Sequence, residues 1–216
     1  MVGNDIVDLT DRDADATTYS SRFDARVFSA EERRSLRDSG APERQRWRIW
    51  AAKEASYKLA RRRRPATVFS PILFRVSLDS SRTGGTGGRL RGRVQHRDEF
   101  FRVEVFEGPQ WIHAIAISES EDFGRVMHSI ERLNGARGKD SDCPSSGAVR
   151  DLACVSVARR LALPSKSLRV ERVNRIPEIW HEARRLPLGL SLSHHGDFVA
   201  FACMDEASAP TSGIAS

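Results

Sequence analysis

The segment that most constrains the fold is a long helix, predicted for PERQRWRIWAAKEASYKLARR at residues 42–62. Pro42 stands in its first turn, where proline is favoured, and Pro65 lies just beyond its end. The next four apolar segments alternate like β-strands and predict an antiparallel meander: ILFRVSL, RLRGRVQH, FFRVEVFE and WIHAIAIS. A long helix joined to such a meander predicts an α+β fold.

Further elements are predicted on either side of this unit. VGNDIVDL predicts a buried strand, and FSAEERRSL predicts a helix whose Ser29 and Glu32 form a capping box. Residues 119–147 are predicted as a polar linker, with a short helix in FGRVMHSIERL. AVRDLACVSVARRLAL then predicts an amphipathic helix, LRVERV a strand, and LGLSLSHHGDFVAFACM two strands joined at the HHG turn. Residues 206–216 are predicted to be a disordered tail.

Two strand segments, WIHAIAIS and DFVAFACM, share a pattern of small residues. Each places two alanines at alternate positions: Ala114 and Ala116, then Ala200 and Ala202. Small residues that recur in this way predict that two similar strands end two similar lobes, residues 1–118 and 148–205.

The composition is that of a soluble chain with a basic surface. Of its 216 residues 39% are hydrophobic and 30% are charged, and no run reaches the roughly 18 apolar residues of a membrane span. The N-terminus carries acids where a signal peptide carries bases, which predicts a cytoplasmic protein. Three cysteines without a CxxC pair argue against zinc. The net charge of +6 predicts an anionic partner: nucleic acid, a polyphosphate ligand or an acidic protein.

The run RRRRP at residues 61–65 resembles a nucleic-acid-binding patch. It also follows the predicted helix directly, where arginines complement the negative end of the helix dipole. The sequence contains no aromatic–basic repeat or known reader motif that would support nucleic-acid recognition. The helix-end interpretation is therefore favoured.

One stripe of the long helix carries an acid and a base among apolar residues. At helical spacing Trp47, Trp50, Ala51, Glu54 and Lys58 share this stripe. The plain interpretation is a surface Glu–Lys pair worth about 0.2–0.5 kcal/mol. Two tryptophans indicate a partly covered face, however, and a carboxylate beside aromatic rings needs a cation or a metal ion. Both interpretations stay open at this point.

Asp5 is flanked by Ile6 and Val7 in the first strand, although acids are depleted from strand interiors. It either faces water at the strand end or has a ligand. Asp8 points to the opposite face of a regular strand, so these two acids form a poor chelate. A metal ion at Asp5 needs a second acid from elsewhere, and Glu54 is the natural candidate.

The segment SLSHHG places Ser191, Ser193 and His194 at a strand end before a turn. A serine beside a histidine suggests a hydrolase, but adjacent strand residues point apart and the G-x-S-x-G elbow is missing. The hydroxyls could instead cap backbone groups in the turn. A phosphate site, with hydroxyl, imidazole and backbone N–H donors, is the third interpretation.

Together these pieces resemble one family, the 4′-phosphopantetheinyl transferases. GNDIVDL resembles its G-x-D-[IV]-x strand, FSAEE its F-[ST]-x-x-E helix start, WAAKEASYK its W-x-x-K-E-[AS]-x-x-K helix, and SLSHHGDFVAFA its S-x-S-H strand. The first three motifs occur in family order within residues 3–58. The fourth follows them, whereas it precedes them in the long, surfactin-type members. The resemblance thus implies a single-chain pseudo-dimer with permuted lobes, each an antiparallel sheet packed with a long helix.

The resemblance implies a Mg²⁺-dependent transferase. It would move the 4′-phosphopantetheine arm of coenzyme A onto a serine of an apo carrier protein, releasing adenosine 3′,5′-bisphosphate. Asp5 and Glu54 would hold Mg²⁺ on the pyrophosphate, and Lys58 would neutralise the leaving diphosphate or pass a proton to it. The residues expected to bind coenzyme A are Lys58, Ser193, His194 and Arg175, with Arg150 as a further candidate.

Some expectations stay open beside this resemblance. Val7 stands where the surfactin-type pattern has a second acid, which leaves water or another residue in one coordination position. Carrier proteins are acidic, so the net charge of +6 predicts an electrostatic field that favours docking of a carrier, with neither nucleic acid nor membrane as partner.

A monomer is expected, and a trimer of elongated short-class subunits is the alternative. A non-catalytic paralogue that binds coenzyme A or a carrier, or a basic nucleic-acid-binding module, are the alternative functions.

Overall fold

The structure is a computed structural model that describes residues 1–15, 21–79, 88–133 and 144–206. Its first part contains β1 (Val2–Asp8), α1 (Ser21–Val27), α2 (Ala30–Asp38), α3 (Pro42–Arg63), β2 (Phe74–Leu78), β3 (Arg89–His96), β4 (Glu99–Glu107) and β5 (Trp111–Ser118). Its second part contains β6 (Met127–Arg132), α4 (Pro144–Leu161), β7 (Leu168–Val173), β8 (Ile176–His181), β9 (Arg184–Arg185), β10 (Leu188–His195) and β11 (Phe198–Asp205). Within the described ranges, no helix is long and apolar enough to cross a membrane.

The strands form three antiparallel sheets. The first has the order β1-β5-β4-β3-β2 and contains the predicted meander, the second has the order β10-β11-β6, and the third has the order β7-β8-β9. Helix α3 packs on the first sheet, and α4 packs on strands of the other two. The predicted α+β fold class is confirmed.

The two halves of the chain repeat one pattern of connections. In the first half, β1 is followed by the long helix α3, and the last strand, β5, returns to pair with β1. In the second half, β6 is followed by α4, and the last strand, β11, returns to pair with β6. Strands β5 and β11 therefore correspond, although the permuted order of the lobes stays a prediction.

The alanines that suggested this repeat lie on different faces of the two strands. Ala114 and Ala116 of β5 pack in the core beneath α3. Ala200 and Ala202 of β11 pack instead against residues of β1, across the interface between the two sheets. Similar spacing of small residues thus arose from two separate packing needs.

The short helix predicted within residues 123–133 is wrong. This segment forms a 3-10 turn at Phe123–Arg125 and then strand β6. β6 pairs with the edge of β11, from Met127 opposite Cys203 to Arg132 opposite Phe198. Backbone pairing at a free sheet edge outweighs a weak helical pattern, because secondary-structure propensity is easily overridden by tertiary context.

Other differences from the sequence expectations are local. Helix α1 and strands β8 and β9 were not predicted. Strand β6 lies inside the segment predicted as a linker, and residues 134–143 of that segment lie outside the described residues. Of the predicted tail, Glu206 is described and pairs with Arg185 at 2.6 Å, whereas residues 207–216 lie outside the described residues.

Close packing of β1 on α3 depends on a glycine. A Cβ atom on Gly3 would overlap the carbonyl oxygen of Ala55 and lie 2.9 Å from the amide nitrogen of Leu59. Ala55 and Leu59 are completely buried in the core of this lobe. Because backbone meets backbone here, residues on the adjoining face of α3 lie directly beside Asp5.

Candidate active site

The central contact of the site joins strand β1 to helix α3. Lys58 Nζ donates to Asp5 Oδ1 at 2.9 Å and to the backbone carbonyl of Asn4 at 3.0 Å. Asp5 is buried, whereas the Lys58 side chain is 30% exposed, so its ammonium lies at the boundary between protein and solvent. Lys58 therefore pairs with the strand acid rather than with Glu54 in a solvated surface pair.

Glu54 lies one helical turn before Lys58 and lines the same cleft. Burial, together with the negative charge of Asp5, raises the pKa of Glu54 to about 7, although the nearby Lys58 opposes the shift. Two carboxyl groups therefore share one ammonium in a poorly hydrated place. An additional cation would relieve this imbalance, since a nearby opposite charge favours the ionised form of a carboxyl group.

The donor set at Asp5 and Glu54 suits Mg²⁺. In the described ranges, no group of three or more His, Cys, Asp or Glu side chains is placed to hold a metal ion by itself. Mg²⁺ usually takes one or two carboxylates and completes its octahedral shell with waters and substrate phosphates. Asp5 and Glu54 fit that manner of binding, and Val7, which lines the same cleft, adds no ligand.

Glu54 faces the cleft because the lysine before it faces the core. Lys53 is fully buried and forms an ion pair with Glu32 at 2.8 Å. Glu32 in turn accepts hydrogen bonds from the backbone N–H groups of Ser29 and Val76, each at 2.7 Å. The predicted capping box of α2 is confirmed, and this buried pair ties α2 and β2 to α3 on the side away from the cleft.

Strand β10 meets the free edge of β1 through side chains. β1 pairs along its other edge with β5, so the remaining N–H groups of this buried strand need acceptors. β10 supplies them at every second residue: Asn4 N–H to Ser191 Oγ (3.0 Å), Ile6 N–H to Ser193 Oγ (3.1 Å) and Asp8 N–H to His195 Nδ1 (3.1 Å). This side-chain ladder joins the two lobes next to Asp5.

The hydroxyl group of Ser193 has a second contact. It donates to Asp5 Oδ1 at 2.9 Å while it accepts the N–H of Ile6. Asp5 Oδ1 thus receives hydrogen bonds from both Ser193 and Lys58, one from each lobe. Because the hydroxyl proton goes to Asp5 and not to His194, the serine–histidine pair of a hydrolase is not formed.

The Asp8 side chain accepts hydrogen bonds from its own strand end and from the turn between β10 and β11. Its Oδ1 accepts from Thr10 N at 2.8 Å and from Thr10 Oγ1 at 2.6 Å, and its Oδ2 accepts from Asp197 N at 2.9 Å. Burial works to raise the pKa of Asp8, but the hydrogen bonds from Thr10 and Asp197 bring it below its ordinary value. That Asp5 and Asp8 form a poor chelate stays a prediction, which these contacts of Asp8 favour.

A cleft of about 320 Å³ opens at this site. Its polar lining comes from both lobes: Asp5, Glu54 and Lys58 from the first, and Ser193, His194 and His195 from the second. Trp47 and Trp50 form an apolar wall, and the indole N–H of Trp47 donates to the carbonyl of Ala14 at 3.1 Å. The partly covered helix face that the tryptophans indicated is confirmed, since Trp47 is only 6% exposed.

A smaller cavity of about 180 Å³ adjoins the cleft and is strongly basic. Three residues line both spaces: Lys58, Arg172 and Leu192. The cavity also receives three further arginines, Arg61, Arg62 and Arg175. The cleft, which contains Asp5 and Glu54, and the adjoining basic cavity are together called the groove below.

The structure brings Arg175 into this groove but not Arg150. Arg175 lies in the two-residue hairpin between β7 and β8, where it and Asn174 have the positive φ values of 67° and 52°. Arg150 lies on α4 and, among the described residues, lines neither space.

Among the residues of the groove that sequence reasoning missed are Arg61, Arg172 and His195. Arg61 continues the helix face of Glu54 and Lys58, so a signal for it existed. His195 lies two positions after Ser193, as Ser193 does after Ser191, so the period of a strand places all three on the same side of β10. Arg172 carries no local signal, because its place depends on how the third sheet packs.

Most of the RRRR run is engaged within the protein. Arg62 donates to the carbonyl oxygens of Leu190 and Pro177 and so connects α3 with the second lobe. Arg63 and Arg64 pair with Glu99 at 3.5 Å and 3.6 Å. These contacts agree with the helix-end interpretation.

The protein thus has an α+β fold with two lobes. Between the lobes lies a groove that contains two neighbouring acids and a basic cavity. A family model described as the 4′-phosphopantetheinyl transferase superfamily matches residues 1–116, which is more than half of the chain. The chain therefore belongs to the 4′-phosphopantetheinyl transferase superfamily. No curated protein matches it.

Proposed function

We propose that the protein transfers the 4′-phosphopantetheine group from coenzyme A to a serine of an apo carrier protein. One observation carries this proposal: Asp5, Glu54 and Lys58 meet in a single cleft that adjoins a cavity rich in arginine. Phosphoryl transfer demands positioning and charge neutralisation more than covalent catalysis. The acids can hold a metal ion, and the basic residues can bind phosphates.

Four residues of the cleft have definite tasks in this reaction. Asp5 and Glu54 would hold Mg²⁺, which would supply positive charge to offset the pyrophosphate while the carrier serine attacks. Lys58 binds the diphosphate as the bond to adenosine 3′,5′-bisphosphate breaks. Ser193 keeps Asp5 in place from the second lobe.

Coenzyme A would lie along the groove with its pyrophosphate in the cleft, beside Asp5, Glu54 and Lys58, and its remaining phosphate toward the arginines of the basic cavity. Lys58, Arg175 and His194 of the S-x-S-H motif bind the phosphates in this proposal, whereas Ser193, which was expected to bind them too, already donates its one hydroxyl proton to Asp5. His194 is exposed beside the cleft, where its imidazole can reach a ligand. Two tryptophans at the other end of the groove offer an apolar wall to the pantetheine arm.

The proposed partner is an acidic carrier protein. The chain carries a net charge of +6, and opposite net charges raise the association rate of two proteins. We propose a monomer that acts in the cytoplasm, with neither nucleic acid nor membrane as its partner.

A direct test uses mass spectrometry with coenzyme A, Mg²⁺ and a panel of apo carriers from fatty-acid, polyketide and peptide synthesis. The proposal expects one carrier to gain the mass of a phosphopantetheine group, and expects EDTA to prevent the gain. Binding of coenzyme A without any mass gain would favour a non-catalytic paralogue. Salt-sensitive binding of nucleic acid, indifferent to Mg²⁺ and coenzyme A, would favour the nucleic-acid alternative.

A further inference from the structure

His195 follows the S-x-S-H motif and forms the last contact of the side-chain ladder. Its Nδ1 accepts the backbone N–H of Asp8 at 3.1 Å. A neutral imidazole has one donor and one acceptor nitrogen, so this contact places the proton on Nε2. A backbone group of the first lobe thereby fixes both the tautomer and the ring orientation of His195.

Because Asp8 engages Nδ1, the Nε2 side of the imidazole ring is the side that can contact a ligand in the cleft. His195 is partly exposed and lines the cleft together with Glu54 and Lys58. In the part of the chain that the structure describes, its Nε2–H donates to no protein acceptor. The ring therefore presents a donor of fixed direction to a space that Lys58 and Arg172 also line.

We infer that His195 is a ligand-binding residue whose Nε2–H donates to a phosphate oxygen of coenzyme A, an inference that rests on the proposed function. Lys58 and Arg172, which line the same cleft, favour an anion over the neutral hydroxyl of a carrier serine, and the two acids of the cleft are the proposed ligands of Mg²⁺. Because Nε2 already carries its proton, the ring cannot accept the proton of that serine. His195 thus binds substrate and is not the general base.

Two substitutions separate this donor from the ladder contact. His195→Asn places a carboxamide oxygen near the position of Nδ1, where it can accept the Asp8 N–H, but the side chain ends short of Nε2. His195→Gln places an amide N–H near the position of Nε2 and leaves the Asp8 N–H without its acceptor. Each variant therefore removes one contact and retains the other.

The measurements are the dissociation constant for coenzyme A, by isothermal titration calorimetry, and the midpoint of thermal unfolding. His195→Asn is expected to weaken coenzyme A binding by about tenfold to a hundredfold, as loss of a hydrogen bond to a charged group does, with an unchanged midpoint. His195→Gln is expected to bind coenzyme A within a few-fold of the wild type, with a midpoint lowered by a few degrees. Wild-type affinity in His195→Asn would overturn the inference.

The carrier-modification assay distinguishes a failure of this inference from a failure of the proposed function. A wild type that binds coenzyme A but modifies no carrier overturns the transfer proposal, while the comparison of the two variants still decides the role of His195. A wild type that modifies a carrier, with unaltered coenzyme A affinity in His195→Asn, overturns the role of His195 alone.

Discussion

Lys58 Nζ lies 2.9 Å from Asp5 Oδ1, although 53 positions of sequence separate the two residues. The contact neutralises an acid in a buried strand and leaves Glu54, in the same cleft, with the raised pKa. This division of charge among three side chains has consequences for metal binding, pH dependence and catalysis.

Removing either acid is expected to abolish transfer. Asp5→Asn and Glu54→Gln keep the shape of each side chain but remove the charge that would hold Mg²⁺ on the pyrophosphate. Metal ions contribute several kcal/mol to stabilising transition-state charge, so the rate should fall about a hundredfold or more. Mass spectrometry of the carrier measures the rate, and Glu43→Gln, an exposed position on the same helix, is the matched control. Undiminished turnover of the wild-type protein in EDTA would contradict the metal role.

Glu54 is expected to make the stability depend on pH. Its pKa is raised from 4.5 to about 7, so the folded chain holds this proton more tightly than the unfolded chain. The stabilising contribution is therefore complete below about pH 4.5 and is lost as the pH rises through about 7. Glu54→Gln should remove this dependence, with a difference from the wild type on the order of 1–3 kcal/mol.

Denaturant unfolding in EDTA at several pH values measures this difference. Added Mg²⁺ should stabilise the wild type more at pH 8 than at pH 6, since it binds the ionised carboxylate. Equal pH profiles for the wild type and Glu54→Gln would show that the carboxyl group has an ordinary pKa.

Gly3→Ala is expected to destabilise the first lobe. The new Cβ would overlap the carbonyl oxygen of Ala55 and push β1 away from α3, at a cost of about 1–3 kcal/mol. Gly189→Ala is the control, because the nearest atom to its Cβ would lie at an ordinary 3.7 Å. Denaturant unfolding that finds the two variants equally stable would contradict the close approach of β1 and α3.

Arg175 is expected to contribute to coenzyme A affinity. Arg175→Asn removes the cation, while asparagine tolerates the positive φ of 67° at this turn. The Michaelis constant for coenzyme A should rise roughly tenfold, as loss of a charge-assisted hydrogen bond does. Arg97→Asn is a matched control, since Arg97 also has a positive φ, 56°, and lines neither the cleft nor the basic cavity. An equal rise in both variants would point to net charge alone.

The protein is expected to be active as a monomer. The side-chain ladder places Ser193 of the second lobe against Asp5 of the first within one chain, so no further copy is needed to complete the cleft. Sedimentation velocity measured alongside carrier modification tests this. An obligate trimer with inactive monomers would contradict it.

The elements whose signals are local could be predicted from the amino-acid sequence alone. The ends of α3 follow from Pro42 and Pro65, the start of α2 from its capping box, and the meander from alternating apolar residues. The spacing of Glu54 and Lys58 likewise requires only the period of a helix. Each of these features depends on residues that are close together along the chain, which is why they could be predicted.

What those residues contact depends on the three-dimensional fold and could not be predicted from the sequence. Residues 127–132 became a strand because β11 offered a free edge, and Lys58 paired with Asp5 rather than Glu54 because Gly3 allows α3 to approach β1. The ladder joins positions 187 residues apart, and the raised pKa of Glu54 arises from burial and a charge on another element. Such effects depend on distances through space, which periodicity and motifs do not contain.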